Sequence, residues 1–131
     1  MKQKKENIFS VDVVVGNLLE PELHNNNYFL PNVDIYETQQ GIFIEVELPG
    51  VSGDDIRVLL NNNKLFIKGR KLCHKKHKNI KYYLLERPYG SFEKLLELPP
   101  DIDSEKVEAV FKEGVLYISV PYRRKKDVVI D

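Results

Sequence analysis

The residues Cys73, His74 and His77 place a thiol and two imidazoles within one short run, and these are the ligand types that hold zinc. The spacing matches no established finger or ribbon, and no fourth ligand stands nearby. Lys71, Lys75, Lys76 and Lys78 surround the run and would repel a cation, so an exposed basic loop is expected and no metal or other cofactor is called for. The same stretch, from Lys68 and Arg70 through Lys81 to Tyr82 and Tyr83, joins positive charge to aromatic rings, the combination that grips single-stranded nucleic acid. Here the rings follow the charges rather than alternating with them, so nucleic acid is not expected as a partner. Ser10, Ser52, Ser91, Ser104 and Ser119 occupy no nucleophile-elbow setting, and no glycine-rich phosphate loop occurs. The carboxylates fall mainly on outward strand positions, where solvation explains them. An enzyme is not expected.

The composition agrees. The 131 residues carry 20 Lys and Arg against 20 Asp and Glu, so no net field draws the chain to nucleic acid or to an acidic membrane. Cys73 is the one cysteine, which rules out an intramolecular disulfide and favours a reducing, cytoplasmic setting. The opening MKQKKENIFSVDVVVG is basic like a signal peptide, but Glu6 and Asp12 break its apolar run. No stretch approaches the roughly 20 apolar residues that span a bilayer. A membrane partner is therefore not expected.

The elements that must position any functional residues read as strands. From Pro31 onward the period is two: Ile42, Ile44, Val46 and Leu48 share one face, with Phe43, Glu45 and Glu47 on the other. The segments DIRVLL and KLFIKG repeat the pattern, and the three are expected to form one antiparallel meander. Downstream, Val107, Ala109 and Phe111 alternate before a tight turn at Glu113-Gly114 and a strand with Leu116, Ile118 and Val120 inward. Asp103 or Ser104 is placed to cap a brief helical turn. Short strands divided by Pro, Gly and Asn favour an all-β sandwich. Residues 1–30 show no steady period and are expected to be a mobile arm, with a short helix over residues 8–19 conceivable despite its valines. Residues 31–122 form the domain, and residues 123–131 a charged tether carrying Val128 and Ile130. Residues 70–90 are too long for a hairpin loop and contain IKYYLLER, which has strand composition.

In order, PNVDIYET, VELPGVSGDDIRV, NNKLFIKGRK, ERPYGSFEKLLELP and AVFKEGVLYISVP resemble the small heat-shock proteins, the alpha-crystallin domain family, of non-animal type. The most specific piece is A-x-x-x-x-G-V-L, present as Ala109, Gly114, Val115 and Leu116. The resemblance implies an Ig-like antiparallel β-sandwich with a strand-bearing loop exchanged between subunits. Tyr82, Tyr83, Leu84, Leu85, Glu86 and Arg87 would then pair with the partner's edge strand, which holds Val33 and Ile35. It also implies that Val128 and Ile130, an anchor of the I-x-I type, fill a groove on a neighbouring dimer between the strands with Ile56, Val58 and Leu60 and with Val107, Ala109 and Phe111.

The function implied is an ATP-independent holdase that binds partly unfolded proteins and suppresses aggregation under stress. Its partners are copies of itself, as dimers built into a large homo-oligomer, and non-native clients met by the arm through Ile8, Phe9, Val11, Val13, Leu18 and Leu19. The alternative is a co-chaperone or adaptor sandwich that binds one folded partner. Two departures bear on stability: Lys94 stands where the family usually has arginine, and Val128 is one carbon smaller than the usual isoleucine.

Overall fold

Alternating apolar and polar residues produce two layers of strand, described for residues 8–15 and 28–129 of a computed structural model of the chain. The strands are β1 (Ile8–Val11), β2 (Val13–Val15), β3 (Tyr28–Phe29), β4 (Val33–Glu37), β5 (Gly41–Glu47), β6 (Ile56–Asn61), β7 (Lys64–Lys71), β8 (Gly90–Glu97), β9 (Glu108–Lys112) and β10 (Val115–Pro121). One sheet runs β1-β9-β10-β5-β4 and the other β2-β6-β7-β8-β3. Pairing is antiparallel except for β2 with β6 and β3 with β8. Among the described residues no helix is long and apolar enough to cross a membrane.

The inner faces hold the residues that the period of two points inward. Ile44, Val46, Leu116, Ile118 and Val120 of the first sheet pack against Val58, Leu60, Leu65, Ile67 and Phe92 of the second, all essentially without solvent contact. Full burial of such a side chain contributes about 1.5–3 kcal/mol. Two glycines have positional reasons. At the β9–β10 turn Glu113 and Gly114 both adopt positive φ, 50° and 76°, the geometry a two-residue hairpin needs. Gly69 on β7 lies so close to the ring of Phe92 that a Cβ there would stand 2.1 Å from the Asp55 carbonyl oxygen and 2.6 Å from Phe92 Cζ. Ser104–Lys106 form a single 3-10 turn whose N-cap, Asp103, accepts a hydrogen bond from the Glu105 N–H at 3.2 Å.

The meander expected from β5 through β7 does not form. β5 pairs with β4 and β10, while β6 and β7 belong to the opposite sheet. Leu48–Asp55 carries the chain across the core, with Leu48 and Val51 buried in passing. Inward alternation is satisfied equally by either sheet, so the pattern alone does not choose. Residues 8–15 of the arm form no helix; they are strands on the sheet margins. Their valines are β-branched, which disfavours helix and suits a pleated surface. Leu18 and Leu19 lie outside the described residues.

Candidate functional site

Strands β6 and β9 form the margins of the two sheets on one side of the sandwich, apart from β1 and β2. Their inward residues face each other across the opening: Ile56, Val58 and Leu60 on β6, with Val107 just before β9 and Ala109 and Phe111 on it, all buried. The first eight described residues lie along this opening. β1 pairs with β9, placing Val11 opposite Ala109, and β2 pairs with β6, placing Val13 opposite Val58. Asp12 alone spans from one sheet to the other. Val11 is 9% exposed within the core cluster, and half-buried Val13 packs against that cluster. Phe9 lies over Gly53, where a Cβ would meet Phe9 Cγ at 3.1 Å. Ile8, Phe9, Val14 and Val15 remain about half exposed.

The opposite margin of the first sheet is β4, with no further strand beyond it among the described residues. Val33 is half-buried and Ile35 is 50% exposed. Residues 82–87 are not in a strand here. They belong to the long connection between β7 and β8, where Tyr83, Leu84 and Leu85 are 88%, 74% and 62% exposed. Cation–π contacts shape this connection: Lys75 Nζ stands 5.4 Å from the Tyr82 ring centroid and 4.8 Å from that of Tyr89, and Arg87 Cζ is 5.2 Å from the latter. Glu86 and Arg87 are both exposed.

Cys73 is an exposed free thiol in the same connection. The Lys75 backbone N–H beside its sulfur, helped by the Lys75 ammonium 3.6 Å away, holds the thiol below its ordinary pKa. Among the described residues no group of three or more His, Cys, Asp or Glu is gathered to hold a metal.

The segment after β10 is tethered to its own domain for several residues. Tyr122 N–H donates to the Gln40 carbonyl at 2.8 Å, Arg123 N–H to Asp101 at 3.0 Å and Lys126 N–H to Gln39 at 2.8 Å. The Tyr122 hydroxyl donates to Glu37, and burial first, then this hydrogen bond, raises the phenol pKa well above its usual value. Past Lys126, Val128 is half-buried, Val129 is 91% exposed and Ile130 lies outside the described residues. The tether sits at the β4–β5 turn, away from the β9 margin of its own sheet.

Three features were not anticipated from the sequence. One is the Tyr122–Glu37 hydrogen bond. Another is a row of apolar side chains across the outer face of the second sheet, Val14, Leu59, Phe66 and Leu95, opposite one another on four successive strands. The third is the filling of the β6–β9 opening by the chain's own Val11 and Val13. A signal for the last was present, since Val11-Asp12-Val13 repeats the spacing of Val128-Val129-Ile130.

The model of the Hsp20/alpha crystallin family matches residues 34–130, which takes in every strand from β5 to β10. The chain belongs to that family. Among other Hsp20 members, it is 40% identical over 96 residues to small heat shock protein C2 of Rickettsia felis, covering 73% of this chain and 62% of that protein. It is 31% identical over 105 residues to heat shock protein 16 of Schizosaccharomyces pombe, covering 77% and 73% respectively. The chain thus spans somewhat less than two thirds of the Rickettsia relative. Of solved structures, heat shock protein 16.0 from Schizosaccharomyces pombe superposes with a TM-score of 0.73 at 30% identity, over 79% of this chain and 96% of that one. The hspA protein of Xanthomonas axonopodis superposes at 0.66, again at 30% identity, over 74% and 97%. Bacterial, plant and yeast relatives place this chain with the non-animal Hsp20 proteins, and the alpha-crystallin sandwich is the fold they share.

Proposed function

We propose that this chain is an ATP-independent holdase of the stress response, working as dimers joined into a larger homo-oligomer in the cytoplasm. The observation that carries the reading is that one subunit has both an exposed apolar run, Tyr83-Leu84-Leu85, and a sheet margin at β4 with no strand beyond it among the described residues. A contiguous exposed apolar run marks an interaction site. Exchange of residues 82–87 onto the partner's β4 adds a strand through main-chain hydrogen bonds and covers Ile35 and both leucines. An exposed thiol at Cys73 is at home in a reducing compartment.

Dimers are then linked by Val128 and Ile130, which seat in the β6–β9 opening of a neighbour. In an extended segment these two side chains project to one side about 7 Å apart, so they enter as a double plug. The segment that carries them is tethered through Lys126 at the β4–β5 turn, and β4 is the far margin of the sheet from β9. The structure of the Xylella fastidiosa relative, 30% identical with a TM-score of 0.65, is described as a distinct high order structure, and we carry assembly over from there. One tail binds weakly because ordering the extension and association oppose the gain from two aliphatic side chains. Many tails together hold a particle that still exchanges subunits.

Clients meet the apolar residues of the arm and any opening from which a tail has withdrawn. Binding of non-native chain lowers the free concentration of aggregating species by mass action, with no nucleotide needed. The test is heat-induced aggregation of a model client in nucleotide-free buffer, alongside multi-angle light scattering. Suppression by the wild-type particle is expected, and Val128→Gly with Ile130→Gly should reduce the particle to dimers. An unchanged particle mass in that variant, or aggregation unaffected by the wild type, refutes the proposal.

A further inference from the structure

The β6–β9 opening is already occupied by the chain itself. Val11 and Val13 have the two-residue spacing of Val128 and Ile130, and alternation puts both on one side with Asp12 turned out. Val11 is opposite Ala109 and Val13 opposite Val58, residues of the two strands expected to receive the anchor. Backbone pairing uses the same margins that an incoming tail would need, because a sheet margin offers one row of donors and acceptors. Two strands cannot share it.

We infer that residues 8–15 are an internal plug for the anchor slot, held in competition with the Val128-x-Ile130 segment of another copy. The inference rests on the reading that this slot receives the anchor, and it adds a control that the reading lacks. The plug is short: four residues pair with β9 and three with β6, and about half of each of Ile8, Phe9, Val14 and Val15 stays in water. A segment with so little buried surface opens readily. Each tail that seats must first expel an arm, and each arm expelled presents Phe9 and Val11 to solvent and to clients. Assembly and client capture are thereby coupled through one slot.

The experiment uses the full chain carrying Val128→Gly and Ile130→Gly, so that its own anchor does not compete, and Cys73→Ser. The probe is a fluorescent synthetic peptide of residues 123–131, followed by anisotropy. In one variant Ser10→Cys and Val110→Cys are added at directly opposed positions on β1 and β9, so that oxidation fixes the arm while leaving the slot-lining residues unchanged. The reduced protein should bind the peptide and the oxidised protein should not. In a second variant Val11→Gly and Val13→Gly remove the plug, and apparent affinity should rise by about tenfold or more, because the occluded fraction no longer reduces it. Equal binding by oxidised and reduced protein, or an unchanged affinity in the second variant, overturns the plug while leaving the slot reading intact. A crosslink formed between two chains in place of one also overturns it. Failure of every form to bind the peptide refutes the slot itself, and the plug with it.

Discussion

Replacing Leu84 and Leu85 together by serine is the sharpest probe of strand exchange, because neither side chain does much for its own subunit. With 74% and 62% of their surfaces exposed, they stand ready to gain most of the burial free energy of a leucine on docking. At about 1.5–3 kcal/mol for full burial, the pair gains about 2–4 kcal/mol per copy as an upper bound. A symmetric dimer contains the contact twice, so the variant forfeits about 4–8 kcal/mol at the limit. If half of this is realised, dimer dissociation strengthens by at least about thirtyfold. Sedimentation velocity across a concentration series should show the variant as monomer where the wild-type subunits associate. Thermal unfolding of the isolated variant should keep its cooperative transition, since the core of the sandwich is untouched. Unchanged association would refute the exchange, and loss of the folded state would refute the premise that this segment is external to the fold.

Other expectations follow from the packing. Gly69→Ala places a Cβ against the Asp55 carbonyl and the Phe92 ring, and overpacking of this kind costs about 1–3 kcal/mol, to be read as a fall in Tm by calorimetry. Tyr122→Phe removes the hydroxyl that donates to Glu37, and loss of a hydrogen bond to a charged acceptor costs about 1.5–3 kcal/mol by urea unfolding at neutral pH. Because the folded-state pKa of Tyr122 lies above that of the unfolded chain, the folded state keeps its proton while the unfolded state loses it. The stability from this group is therefore whole below about pH 10 and declines as pH rises beyond it. The stability difference between wild type and Tyr122→Phe should shrink over that alkaline range, and a difference that grows there would contradict the assignment.

Much of the sandwich was legible because burial on one face leaves a period of two. Ile44, Val46, Leu65, Ile67, Leu116 and Ile118 all face inward as their spacing requires. The turn at Glu113-Gly114 and the cap at Asp103 were also readable, since each depends on neighbours in the chain. Phe66 was not, because its partners Leu59 and Leu95 on the outer face come from other strands. The six positions on and beside β6 and β9 were named from a resemblance, and their burial follows from alternation. That Val11 and Val13 pair against β9 and β6 was hidden by the lack of a steady period before Pro31.

Sequence alone determined the core strands after Pro31, their inward faces and the family, because those rest on local alternation and on motifs whose order survives in one dimension. Only the tertiary structure decided which sheet each strand joined, that residues 8–15 close the β6–β9 opening, and that Tyr83, Leu84 and Leu85 stand uncovered. The physical reason is that a strand's pattern states which face is apolar and leaves open which edge it will pair with. Edges are filled by whichever segment, near or distant in sequence, satisfies their hydrogen bonds.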